Sequence, residues 1–348
     1  MLFQKRVDFS PVTTGLALGA QTTFQITREF HLESLWLRVD VTPSAAMATA
    51  NADALQAIVN RVQLQISDGA RTRNVIDCSG PGLLEYAFEI NSGWDRNTST
   101  NFGTNPASGQ KTFYYPIFCS HPQIEDPVGS TLLLPLPRYN SNPTLLVQFA
   151  SQTQMDTNAT PTFAVSALQC SLIINRRQVN RANWPTLDWE LAEISVPYPN
   201  TGNSQLYELQ IPGSYTGILM RDYQGLGTRA FIETAGGENK LQLLGTVIRR
   251  FRCQDVQAEN DISARLNAAT WNNPAAQTYL DFVSDKTGET GGDMGSVLDA
   301  NILSASGARI QLLQDITGGS NFQRKYVTHR IFGNLNALKF GGGGARQR

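Results

Sequence analysis

Leu35-Trp-Leu-Arg-Val-Asp-Val41 places Leu35, Leu37, Val39 and Val41 on one face of an extended chain, with Trp36, Arg38 and Asp40 on the other. A period of two is the mark of an antiparallel strand buried on one side. The pattern returns at Val62, Leu64 and Ile66, set between Arg61, Gln63 and Gln65, and again at Tyr207, Leu209 and Ile211 around Glu208 and Gln210. Further strand texture lies at 22–30, 111–119, 130–136, 144–150, 163–174, 187–196, 215–223, 229–234, 240–251, 277–284, 308–314 and 325–332. Clusters of Gly, Pro, Asn and Ser separate these runs, as turns require. A parallel sheet needs a helix between most strands, and such helices are scarce.

Three segments read as helical insertions. Pro81 opens PGLLEYAFEIN, in which Leu83, Ala87 and Ile90 share a face. The Ala-rich residues 45–59 and the looser pattern at 255–269 are the others. The polar, basic stretch NRRQVNRANWP, Asn175 to Pro185, divides the strands into two similar sets. The expected organisation is all-β: two tandem eight-stranded jelly-roll β-sandwiches, at 1–175 and 187–340, with a basic linker at 176–186. A flexible Gly-rich basic tail follows at 341–348. Leu35, Leu37, Val39, Val62, Leu64, Ile66, Leu209 and Ile211 are the expected core residues.

Composition narrows the function. Of 348 residues, 41% are hydrophobic, enough for an ordinary core, and only 16% are charged. Thr (30), Asn (24), Gln (24) and Ser (23) fill the gap, so a partner can cover the surface without stranding many charges. A net charge of -1 gives no global drive toward nucleic acid or membrane. Arg outnumbers Lys 22 to 6, a bias toward the cation better suited to interfaces. No apolar run reaches membrane-spanning length, and the opening MLFQKRVDFSPVTT lacks the apolar core of a secretion signal. The four dispersed cysteines read as free, buried thiols.

Catalytic patterns fail one by one. Gly103 to Thr112 has the wrong spacing for a phosphate loop. Gly318 to Phe322 misses the last glycine of a nucleophile elbow. Nothing ties His31, His121 and His329 together. Asp188 and Glu190 share a strand face at a separation that glycoside chemistry can use. A carbohydrate-binding or glycoside-cleaving jelly roll would expose Trp189 and Tyr198 beside them. The loop with Asp285, Glu289 and Asp293 is a candidate structural calcium site, without EF-hand spacing. No other cofactor is implied, and the chain is not expected to be an enzyme.

Basic clusters carry more information. Thr157 to Leu187 holds no acid, and neither does Ile316 to the end. Lys5, Arg6, Arg176, Arg177, Arg181, Arg346 and Arg348 are candidates for one basic face turned toward lipid or genome. Basic–aromatic interleaving is missing, so sequence-specific nucleic-acid reading is not expected.

Leu132–Phe149, LLLPLPRYNSNPTLLVQF, and Trp184–Tyr223 resemble the double jelly-roll major capsid proteins of tailless icosahedral bacteriophages with an internal membrane, the tectivirus and corticovirus-like lineage. The resemblance implies a homotrimer that builds a capsid lattice in the virion, made in the host cytoplasm. Its partners would be minor capsid and penton proteins and an internal lipid membrane. The termini and linker would lie on the inner side. A phage penton or spike component is the other structural reading, although fibre-like repeats are missing.

Overall fold

The computed structural model describes residues 4–67, 69, 71–90, 109–120, 132–178, 187–209, 213–243, 245–265, 276–282, 298–299 and 310–332. The first eight strands are β1 (Gln4–Phe9), β2 (Gln21–Gln25), β3 (His31–Ala45), β4 (Val59–Ser67), β5 (Thr72–Cys78), β6 (Lys111–Phe118), β7 (Thr144–Phe149) and β8 (Ala164–Gln178). The later ones are β9 (Asp188–Pro197), β10 (Gly202–Glu208), β11 (Ser214–Gln224), β12 (Asn239–Leu243), β13 (Thr246–Phe251), β14 (Gln277–Asp281), the two-residue β15 (Leu298–Asp299), β16 (Ile310–Ile316) and β17 (Phe322–Phe332). Three helices join them: α1 (Gly80–Ile90), the one-turn α2 (Gln152–Met155) and α3 (Cys253–Arg265).

Strand order shows the wiring. One outer sheet runs β1-β8-β3-β6 and the other β10-β16-β12-β13. Between them lies a long sheet in the order β14-β11-β17-β9-β5-β4-β7-β2. Leaving β15 aside, both halves follow one rule. Their first, eighth, third and sixth strands form one sheet, and their second, seventh, fourth and fifth form the other. That is jelly-roll topology, present twice. The halves share the central sheet through a short parallel contact of β5 with β9, Ile76 opposite Leu191 and Asp77 opposite Ala192.

Register explains the first core. Across β6, β3 and β8, Tyr115 lies opposite Leu37 and Leu37 opposite Leu172, while Phe113, Val39 and Cys170 form the next row. All six side chains are buried, together with Val62, Leu64 and Ile66 from the facing sheet. Each large apolar side chain contributes roughly 1.5–3 kcal/mol by leaving water. In the second half Leu209, Ile218, Met220, Leu241 and Leu312 pack together. Seven of the eight expected core residues are buried; Ile211 lies outside the described residues.

Several expected elements differ. The Ala-rich 45–59 is not a helix: β3 runs to Ala45, and only a 3-10 turn at Ala54–Ile58 follows. The Asp156 carboxylate accepts the Ala48 and Thr49 N–H groups at 2.8 and 2.9 Å and fixes the segment as a loop. Burial opposes that charge, but five backbone donors, those of Ala48, Thr49, Asn158, Thr162 and Phe163, hold the Asp156 carboxyl well below its usual range. The expected strand at 229–234 makes only isolated bridges, Arg229 to Tyr223 and Glu233 to Ile316. The run 240–251 is two strands, folded back at Gly245, whose φ of +78° suits glycine. The expected linker begins inside β8, so Arg176 and Arg177 are strand residues.

Candidate functional site

The junction between the two sandwiches holds most of the molecule's unusual chemistry. Helix α1 begins after Ser79, whose hydroxyl accepts the Gly82 N–H at 3.1 Å, a helix cap. Ten of its eleven residues are buried. It lies against the outer face of β11, β14 and β17, the face opposite the second core. Leu219, Tyr279, Val327 and Ile331 accordingly belong to the first sandwich's apolar cluster, not the second's. Tyr86 of α1 meets Tyr279 edge-on, with ring centroids 6.1 Å apart.

A charge cluster sits in the same seam. Arg221 of β11 is fully buried and touches three carboxylates: Glu85 of α1 at 2.9 Å, Asp53 at 3.0 Å and Glu193 of β9 at 3.1 Å. Arg229 adds contacts to Asp53 and Glu85, each at 2.9 Å. The Tyr223 hydroxyl donates to Asp53 at 2.9 Å. Burial works against the Asp53 charge, yet Arg221, Arg229 and Lys325 hold its carboxyl well below the usual range. Asp53 and Glu85 come from the first half of the chain, Arg221 and Arg229 from the second. The cluster therefore locks the two sandwiches together. Beside it a cleft of about 280 Å³ is lined by Asn51, Asp53, Ser79, Tyr223, Leu226 and Lys325.

A second polar cluster lies inside the second sandwich. Arg324 grips Asp222 with two buried contacts, through Nε and through Nη2 at 2.7 Å, and also bonds Gln314. Nearby, burial raises the Glu233 carboxyl to about 7, although it accepts the Cys253 N–H at 3.0 Å.

The sequence-derived site residues fare differently. Asp188 faces Arg73 at 2.7 Å and Glu190 faces Arg330 at 3.0 Å, so each carboxylate has its own guanidinium. Trp189 and Tyr198, which the alternative carbohydrate reading would expose, are buried. Trp189 donates to the Leu132 carbonyl at 2.8 Å, and Tyr198 pairs with the Tyr326 hydroxyl at 2.8 Å. His329 bonds Thr216 Oγ1 at 2.7 Å, and both are buried in the seam. Burial and Arg138 lower the His31 pKa. Asp285, Glu289, Asp293 and His121 lie outside the described residues. Among the described residues, no group of three His, Cys, Asp or Glu side chains is placed to hold a metal.

Four of the seven basic candidates do meet. Strand β1 pairs with β8 so that Lys5 lies opposite Arg177 and Arg6 opposite Arg176. Acids meet them there. Arg176 is buried and reaches Asp8 at 3.2 Å; Arg177 and Lys5 reach Glu33 at 2.6 and 3.4 Å; Arg6 reaches Asp8 and Glu29 at 2.8 and 3.0 Å. Arg181, Arg346 and Arg348 lie outside the described residues.

No family model and no curated protein matches the sequence. Solved structures do match. The major capsid protein of STIV aligns over 96% of this chain and 98% of its own, at 14% identity and a TM-score of 0.66. PBCV-1 VP54, fitted into a reconstruction of the virophage Sputnik, aligns over 95% and 94%, at 13% identity and a TM-score of 0.60. The major capsid protein P2 of bacteriophage PM2 aligns over 95% and 99%, at 10% identity and a TM-score of 0.55. At such identities the likeness speaks to the fold: this chain is a double jelly roll, as those proteins are.

Proposed function

We propose that this double jelly roll is a major capsid protein, which trimerises into a pseudo-hexameric capsomer and tiles an icosahedral shell. The observation that carries the reading is the repeated wiring. Two sandwiches of the same topology stand side by side, and three such chains around a threefold axis supply six similar blocks. The full-length likeness to capsid proteins from three different viruses supports it. Few charges and many neutral hydrogen-bonding groups suit wide lateral contacts.

The role is structural rather than catalytic. The carboxylate pair of the glycosidase reading is neutralised by arginines, and the aromatic rings it needs are inside the protein. The site of action is the virion, after synthesis in the host cytoplasm, with minor capsid and penton proteins as neighbours. An inner basic face toward membrane or genome now rests chiefly on Arg181, Arg346 and Arg348. Arg176 and Arg177 are already matched by Asp8 and Glu33.

Size-exclusion chromatography with light scattering is the direct test. The purified chain is expected to elute with the mass of three protomers, and particles from the source are expected to show hexagonal capsomers by electron microscopy. A stable monomer that binds or hydrolyses glycans overturns the reading.

A further inference from the structure

The cleft beside Asp53 holds a saturated acid and an unpaired cation. Asp53 Oδ1 accepts Arg221, Arg229 and the Tyr223 hydroxyl, and Oδ2 accepts that hydroxyl again. Lys325 lines the same cleft, half-buried, and makes no hydrogen bond or ion pair with any described residue. Its ammonium stands 4.9 Å over the Tyr223 ring. Two arginines, Arg221 and Arg229, face three acids, Asp53, Glu85 and Glu193. Lys325 balances the third charge from a distance, so its N–H donors remain open to the cleft.

Amide donors share the same space. Gln323 and Lys325 alternate on β17 with the buried Arg324 and Tyr326, so both face away from the second core and toward the first sandwich. In register they lie beside Tyr223 and Arg221 of β11. The Gln323 side-chain oxygen accepts the Ser195 hydroxyl at 2.8 Å, and its amino group meets no acceptor among the described residues. Gln154 repeats the pattern: its oxygen accepts the Ser151 N–H at 2.8 Å, and its amino group is open. Asn60 is the extra residue of a bulge in β4, between Val59 opposite Phe149 and Arg61 opposite Gln148. Bulges re-aim one side chain, and this one sends an unpartnered amide to the cleft. Ala57, Pro81 and Leu226, the last 60% exposed, supply an apolar wall.

The cleft's loops follow β3, β7 and β11. At the other end of the molecule β1 begins opposite the end of β8, Gln4 to Gln178, and β17 ends opposite the start of β9, Phe332 to Asp188. A shell whose basic linker and tail turn inward therefore turns this cleft outward. We infer that the cleft binds an acidic sugar, a single hydroxyl-rich ring carrying a carboxylate, as found on cell-surface glycans. Lys325 and Gln323 hold the carboxylate, Asn60 and Gln154 meet ring hydroxyls, and Leu226 covers the ring's apolar side. The volume of about 280 Å³ lies near the lower end of the roughly 300–1,000 Å³ of small-molecule sites, room for one ring. An extended acidic peptide fits less well, because it needs a sheet edge or a long groove. The outward placement rests on the capsid reading; the binding chemistry does not.

Calorimetry and saturation-transfer NMR on the full chain test it with glucuronic acid and glucose, the same ring with and without the carboxylate. Because the surrounding charges balance, glucuronic acid is expected to bind in the millimolar range, and glucose roughly tenfold more weakly. Lys325→Met is expected to bring the two sugars level. Asn60→Ala removes no charge and no internal contact, and is expected to weaken both. If glucuronic acid does not bind, or binds either variant as tightly as the unsubstituted chain, the site is wrong. If acetate or an acidic peptide competes as well as glucuronic acid does, the cleft is a general anion or peptide site and the sugar assignment falls. Light scattering on the same samples separates the two readings. A trimer that binds no sugar overturns the cleft and leaves the capsid reading standing; a stable monomer that binds glucuronic acid through Lys325 removes the capsid reading and the outward placement with it.

Discussion

Arg221 Nε donates to Glu85 Oε2 at 2.9 Å in a seam where both side chains are buried and come from opposite halves of the chain. A cation so placed is affordable only because Asp53, Glu85 and Glu193 surround it; alone, it would cost several kcal/mol to desolvate. The contact thus couples the folding of each sandwich to the presence of the other.

Removing the cation leaves those carboxylates facing each other. Arg221→Met is expected to destabilise the protein by about 3–5 kcal/mol at neutral pH. The sign of its pH dependence follows from Asp53, whose folded pKa is depressed: its stabilising contribution is present above the unfolded value of 3.8 and is lost as pH falls through the folded one. In the variant Asp53 loses that cation, and its carboxyl is held down less strongly. The deficit is therefore expected to hold from pH 7 to pH 5 and to shrink as pH falls below 3.8 in denaturant melts. A deficit that does not vary with pH would show that packing, not charge, holds the seam.

The strands legible in the sequence are those with one wet face, such as β3 and β4. Strand β5 was not, because Val75 and Ile76 are both buried where the sheet joins β9, which breaks the alternation. Strand β1, QKRVDF, was hidden for the opposite reason: its apolar residues Val7 and Phe9 point outward. The seam's charges are scattered from Asp53 to Arg229, and no spacing unites them. The available signal was a charge inside an apolar run, Glu85 in LLEYAF and Arg221 in GILMRDY. Basic clustering around β1 and β8 was visible, but not the acids Asp8, Glu29 and Glu33 that topology brings to it.

Glu233 predicts a second pH effect, of opposite sign. Burial raises its carboxyl to about 7 from 4.5. The folded state then holds a proton that the unfolded state releases, so stability falls as pH rises from about 4.5 to about 7 and stays lowered above that. Glu233→Gln keeps an acceptor for the Cys253 N–H and has no charge to bury. Its melting temperature is expected to exceed that of the unsubstituted protein at pH 8 and to converge with it at pH 5. Equal differences at both pH values would remove Glu233 as the titrating group.

Gly80 sets how closely α1 approaches the first sandwich. A Cβ there would lie 2.6 Å from the Val59 carbonyl oxygen and 2.8 Å from the Tyr115 ring. Neither gives way easily, since Val59 is strand backbone and Tyr115 is buried, with its hydroxyl donating to the Gln56 carbonyl at 2.7 Å. Gly80→Ala is expected to cost about 1–3 kcal/mol, the usual range for overpacking. Because α1 carries Glu85, displacing it also pulls on the Arg221 contact, so Gly80→Ala and Arg221→Met are expected to be less than additive in a double-mutant cycle. Full additivity in chemical denaturation would mean that the start of the helix and the charge cluster are independent features of the seam.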